Sequence, residues 1–186
     1  MLSQLETPTF NPRQATAKTG NRRLVPAVEG LVQVFTCEHR SFFTNVMSQA
    51  LRLAGQGTSV LIVQFLKGGI NQGHLAPVRL GQHLDWMRCN LPRCIDTPDV
   101  EIYESEALQH LWQHTQEVVC AGKYALVVLD ELSLAIDFGL IPEAEVLDFL
   151  DRRPRSVDII FTGPRMPQAL LAVADQITEI RRSHRP

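Results

Sequence analysis

Gly30-Leu-Val-Gln-Val-Phe-Thr-Cys-Glu-His-Arg-Ser-Phe-Phe-Thr44 passes from an apolar run into the start of a helical pattern. Residues 30–36 read as a buried strand, with Leu31, Val32, Val34 and Phe35 as its apolar run. Residues 42–54 read as an amphipathic helix, with Phe42, Phe43, Val46, Met47 and Ala50 forming a packed face. The same strand-then-helix order recurs along the chain. Strands are expected at Leu31–Thr36, Ser59–Phe65, Leu84–Met87, Ala125–Asp130, Asp158–Thr162 and Gln176–Ile180. Three of these contain Val60-Leu-Ile-Val-Gln-Phe65, Leu126-Val-Val-Leu-Asp130 and Ile159-Ile-Phe-Thr162, the composition of central parallel strands. Helices are expected over 42–54, about 99–120, 132–137, 142–152 and 167–173. Thr97-Pro98 reads as the start signal of the long one, and Pro142 with Glu143 and Glu145 opens another. Alternating strands and helices imply a doubly wound α/β domain, mostly parallel, with helices on both faces.

Residues 1–28 differ in kind. They are polar, carry Pro8, Pro12, Pro26 and the basic cluster Lys18, Arg22, Arg23, and show no period. They read as a flexible arm before a single domain over 29–186. The segment 68–98, rich in Gly, Pro, His and Arg, reads as a long loop with one short strand. Net charge is −2 over 186 residues, so bulk charge points to neither nucleic acid nor an anionic membrane. No apolar run approaches the roughly 20 residues of a membrane helix, and the N-terminus lacks a signal-peptide pattern. A cytoplasmic protein with reduced cysteines is expected. Cys89 and Cys94, with His83 nearby, match no strong zinc spacing, so free thiols are the expected reading.

Ligands of doubly wound sheets bind at the carboxyl ends of the strands. At the first such end a phosphate-binding loop would carry Gly-x-x-x-x-Gly-Lys-Ser/Thr. Its glycines let backbone N–H groups approach phosphates, its lysine neutralises charge, and its hydroxyl holds Mg²⁺. Here Cys37 to Thr44 contain no glycine, Phe42 stands where the lysine would be and Phe43 where the hydroxyl would be. Charge-assisted hydrogen bonds contribute about 1.5–3 kcal/mol each, so losing three weakens phosphate binding by on the order of a thousandfold or more. Weak anion binding by His39 and Arg40 at the helix start is the residual reading, and Cys37-Glu38-His39 can be sketched as a nucleophile and base. A second strand end, Val127-Val-Leu-Asp-Glu131, has the acidic pattern that orders a metal-bound water and positions a nucleophile. The same pair can serve only as a helix cap or a solvated end. A third, Phe161-Thr-Gly-Pro-Arg165, is a turn that can contact a nucleotide or simply reverse the chain.

Together these pieces resemble the P-loop type of ATP:corrinoid adenosyltransferase. The resemblance rests on residues 30–36, Val63-Gln-Phe-Leu-Lys-Gly68, Leu111-Trp-Gln-His114, Val127–Glu131, Ile141-Pro-Glu-Ala-Glu-Val146, Arg152-Arg-Pro154 and Ile160-Phe-Thr-Gly163, in that order. It implies a RecA-like P-loop NTPase fold and a homodimer whose N-terminal arms reach toward the neighbouring site. It also implies a reaction in which Co(I) of a corrinoid attacks the 5′ carbon of ATP and displaces triphosphate, with Mg²⁺ on the phosphates. The protein's part in such a reaction is to orient reactants and exclude water. Carried over by motif, Asp130 and Glu131 are the catalytic candidates, with Asp130 as the Mg²⁺ ligand. Thr36, Thr44, Gln64, Lys67, Thr162 and Gly163 are candidates for binding MgATP or the corrinoid, joined by His39, Arg40 and Arg165 from the residue reading. The departures are the phosphate loop, the loop after Gly68 and the short end Arg181–Pro186. They favour a non-catalytic binding or regulatory homologue, with a protein partner of its own. An active transferase that grips ATP through Arg40, Lys67 and Arg165 is the alternative, and a binder of another nucleotide or anionic metabolite a third.

Overall fold

A computed structural model describes residues 29–70 and 72–181. The expected arm over 1–28 lies outside the described residues. Among the described residues seven strands form one sheet: β1 (Val32–Cys37), β2 (Val60–Gln64), β3 (Val78–Leu80), β4 (Leu84–Arg88), β5 (Leu126–Asp130), β6 (Asp158–Thr162) and β7 (Gln176–Ile180). Five helices connect them: α1 (Thr44–Gly55), α2 (Ile102–Cys120), α3 (Leu132–Asp137), α4 (Glu143–Arg152) and α5 (Gln168–Val173). The spatial order is β3-β4-β2-β5-β6-β1-β7, with every pair parallel except β3–β4. One strand, β6, separates β1 from the acidic strand β5, the arrangement of a RecA-like P-loop fold. Among the described residues no helix is long and apolar enough to cross a membrane.

The period of two along the strands divides the core into two layers. Leu61, Val63, Val127, Leu129, Ile159 and Phe161 face one side and pack with Leu111, Trp112, Val146, Phe149 and Leu170 from α2, α4 and α5. Val60, Ile62, Leu126, Val128 and Ile160 face the other and meet Val46, Met47 and Ala50 of α1. Both faces are covered, which is why β2, β5 and β6 are almost wholly apolar in sequence. Phe43 and Met47 are buried as the amphipathic reading required, whereas Phe42 is half exposed and stands off that face.

Two local expectations need correction. The long helix starts at Ile102 and not at Thr97-Pro98. Its start is set by Glu101 and Glu104: the Glu101 N–H donates to Glu104 Oε2 at 3.0 Å. Glu104 is itself buried and held by a two-pronged contact with Arg93, at 2.7 Å for each nitrogen. The Arg93 guanidinium, followed by the Glu101 contact, holds the Glu104 carboxyl below its usual range. The segment 68–98 carries two strands, because Val78–Leu80 pairs antiparallel with β4. All three β3 residues are exposed, so no burial pattern marks them in the sequence.

His74 of that segment meets His114 of α2, ring centroids 5.3 Å apart. Burial, and then the neighbouring His74, hold the His114 imidazole below its ordinary value of 6.5. A histidine with a lowered folded-state pKa binds fewer protons folded than unfolded, so stability falls as pH drops through 6.5. Denaturant midpoints measured between about pH 7.5 and 5.5 should therefore show a steeper acid loss for the native chain than for His114→Gln. Parallel curves would rule out this contribution.

Candidate functional site

The carboxyl ends of β1, β2, β5 and β6 bring the sequence candidates into two neighbouring groups. The first is a cavity of ≈ 900 Å³ lined by Thr36, Cys37, Glu38, His39, Ser41 to Asn45 and the end of β7, Glu179 to Arg181. It occupies the place of a phosphate loop, between β1 and α1. Helix α1 begins there with Phe43 as its cap residue, and no side chain bonds its first turn. Arg181 is paired with Glu179 at 2.8 Å. The Cys37 thiol donates to the carbonyl oxygen of His39 at 2.7 Å, a contact to backbone and not to the imidazole.

The second group is an ion-pair network below the first. Asp130 is fully buried, and its oxygens accept three side-chain hydrogen bonds: Thr162 Oγ1 at 2.5 Å on Oδ1, with Gln64 Nε2 at 2.7 Å and Lys67 Nζ at 2.6 Å on Oδ2. The Gln64 amide is oriented by its other end, because Oε1 accepts from Trp86 Nε1 at 3.0 Å and Arg88 Nε at 2.8 Å. Two N–H donors on one atom fix it as the oxygen. Glu131 is also buried, in a left-handed conformation with φ 64° that turns the chain from β5 into α3. Its N–H donates to the Thr162 carbonyl at 2.9 Å.

Arg40 approaches Glu131 from the loop after β1. Nε and Nη2 each lie 2.6 Å from a different carboxylate oxygen, the bidentate geometry a guanidinium favours. Nη1 donates to the Ile95 carbonyl at 3.0 Å and to the Asp96 carboxylate. The Glu131 hydrogen bond raises the Arg40 pKa above its ordinary value against the opposing effect of burial. Lys67 Nζ stands 3.7 Å from Glu131 as well, and 5.2 Å from the centre of the Phe42 ring. Gly163 closes the group. A Cβ there would sit 2.2 Å from Ser133 Oγ, turning that hydroxyl from its bond to the Pro164 carbonyl, and φ +141° strains any side chain.

The family model for ATP:corrinoid adenosyltransferase BtuR/CobO/CobP matches residues 28–186. The chain belongs to the ATP:corrinoid adenosyltransferase family. It is 30% identical over 157 residues to the corrinoid adenosyltransferase of Escherichia coli (strain K12), covering 82% of this chain and 76% of that one. It is 30% identical over 155 residues to corrinoid adenosyltransferase CobA of Salmonella typhimurium, covering 82% and 76%. An uncharacterized protein of Nostoc sp. is 28% identical over 184 residues, 92% of this chain and 48% of that longer one.

Within this adenosyltransferase fold, the sequence candidates separate. Gln64, Lys67, Asp130, Glu131 and Thr162 converge, with Gly163 beside them. Thr36, His39 and Thr44 line the cavity. Arg40 leaves the phosphate loop's position for Glu131, and Arg165 pairs with Asp137 at 2.9 Å on the surface. Sequence reasoning missed Trp86, Arg88, Ile95 and Asp96. These lie 22 to 56 residues from their partners, and no local pattern signals such pairing. Cys89 is buried, which pushes its thiol up to about 12, while Cys94 is exposed. Among the described residues no three His, Cys, Asp or Glu side chains are placed to hold a metal ion.

Proposed function

We propose that this chain is a non-catalytic member of its family, a binding or regulatory protein on the adenosyltransferase scaffold. The observation that carries this reading is the direction of Arg40. It is the single Arg or Lys between residues 37 and 44, and it points away from the cavity to bond Glu131. Among the described residues the cavity keeps the hydroxyls of Thr36, Ser41 and Thr44, the Asn45 amide and His39, but no Arg or Lys other than Arg181, which is already paired with Glu179. Displacing triphosphate from the 5′ carbon of ATP requires donors aimed at the departing negative charge. This lining offers neutral hydroxyl and amide groups, carboxylates and aromatic rings, with no lysine and no arginine other than the paired Arg181. A homodimer in the cytoplasm is the proposed setting, and a protein partner the proposed recipient of its binding.

An active transferase is the second reading, favoured by the retained Asp130-Glu131 pair. It requires Arg40, Lys67 and Arg165 to leave Glu131, Asp130 and Asp137 together. Calorimetric titration with MgATP, followed by an adenosyl-transfer assay with chemically reduced cobalamin, separates the two. We expect no saturable heat up to about millimolar nucleotide, equivalent to binding weaker than about −4 kcal/mol, and no adenosylated product. Turnover approaching that of a glycine-loop relative would sink the non-catalytic reading.

A further inference from the structure

We propose that Lys67 and Arg40 supply, from within the chain, the positive charge that a divalent cation would otherwise bring to Asp130 and Glu131, so that this acidic pair binds no metal. The inference deepens the non-catalytic reading of the same site and rests on it.

Two adjacent buried carboxylates require counter-charge, since an ionised carboxylate taken out of water without a partner is strongly disfavoured. A Mg²⁺ ion meets that need by accepting lone pairs from carboxylate oxygens at about 2.0–2.1 Å, usually keeping several waters. Here the lone pairs are directed elsewhere. Lys67 Nζ sits between the two acids, 2.6 Å from Asp130 and 3.7 Å from Glu131, the bridging position of a shared cation. Arg40 takes both oxygens of Glu131 at 2.6 Å. Thr162 and Gln64 donate to the two oxygens of Asp130. Every oxygen of the pair therefore faces an N–H or O–H donor. Lys67 and Arg40 already balance the two buried acids, and Arg40 also holds the exposed Asp96, so an added divalent ion would bring buried charge with no free carboxylate oxygen on the pair to receive it.

Phe42 makes the arrangement coherent with the loss of the phosphate loop. Its ring lies 5.2 Å from Lys67 Nζ, close enough for the face of the ring to attract the ammonium. Phe42 stands where the resemblance puts the lysine of a phosphate loop. One change thus removes a phosphate donor and adds a neighbour for Lys67. The network also explains why both acids persist in a chain without a working phosphate loop. Asp130 receives β2, β6 and Lys67, and Glu131 receives the loop after β1.

The test is Mn²⁺ binding to the full chain by electron paramagnetic resonance. The native protein should show no saturable Mn²⁺ up to about millimolar, the weak end of carboxylate-rich sites. The double variant Arg40→Met with Lys67→Met strips both cations and leaves the acids. Its affinity should tighten at least about tenfold over the native chain, and Asp130→Asn in that background should abolish the gain. A double variant that unfolds alone but recovers its native circular dichroism in Mn²⁺ supports the proposal equally. If it stays unfolded in Mn²⁺, Lys67→Met alone replaces it, with the same criterion. Saturable Mn²⁺ on the native chain that Asp130→Asn removes would overturn the proposal, as would a folded variant with no gain. Adenosyl transfer by a native chain that still binds no Mn²⁺ would refute the non-catalytic reading and leave the internal cations standing.

Discussion

Replacing Arg40 with alanine should destabilise the protein by about 2–4 kcal/mol, far beyond the cost of an ordinary surface ion pair. Glu131 is 2% exposed in its side chain and Arg40 29%, so the pair is screened on one side only. Removing the guanidinium leaves a buried carboxylate whose nearest remaining cation, Lys67 at 3.7 Å, is already engaged by Asp130 at 2.6 Å. The change also frees the Ile95 carbonyl and the Asp96 carboxylate, which Arg40 ties to the loop after β1. The decisive comparison is Glu131→Gln. In that background the same Arg40→Ala change should cost at least about 1 kcal/mol less, because no buried charge is stranded. Urea denaturation with unchanged slope measures both values. A loss below about 1 kcal/mol for the single variant would mean that the pair behaves as a solvated one.

Gly68→Ala is expected to cost about 3 kcal/mol or more, at the upper end of what overpacking exacts. A Cβ at this position would lie 2.3 Å from the carbonyl oxygen of Arg93 and 2.5 Å from that of Leu91. Both obstacles are backbone, so no rotamer change relieves them. The segment 91–95 would have to move away. It is held there by Gly69 N–H to the Leu91 carbonyl at 2.7 Å and Ile95 N–H to the Leu66 carbonyl at 2.9 Å. Movement would pull the Ile95 carbonyl from Arg40, so the damage reaches the ion-pair network. Gly55→Ala is the control: nothing lies within 4 Å of its Cβ, and it is the last residue of α1. That substitution should be neutral or stabilising by a few tenths of a kcal/mol. Equal losses at the two glycines would refute the steric account.

The layered α/β fold and the position of nearly every element are legible in the order of residues alone. Strands β2, β5 and β6 are legible because burial on both faces demands unbroken apolar runs, and α1 because one face must be apolar. The sequence also showed that the loop from Cys37 to Thr44 lacks the glycines and the lysine of a phosphate loop, since that motif depends on residue types at adjacent positions. The family relation was readable for the same reason. It did not determine β3, whose exposed residues carry no period, nor the start of α2, which depends on a buried Glu104 reaching Arg93. Where Arg40 points is set by the folded sheet. From the chain alone Arg40 is a cation beside a helix start, with weak anion binding as its residual functional reading. Its partners Glu131, Ile95 and Asp96 are 55 to 91 residues distant and meet it only when β1, β5 and the segment after β4 end at the same edge of the sheet. Hydrophobic periodicity is a local property that strands and helices inherit directly. The pairing of buried charges is a property of the assembled sheet, fixed by which carboxyl ends the packing brings together.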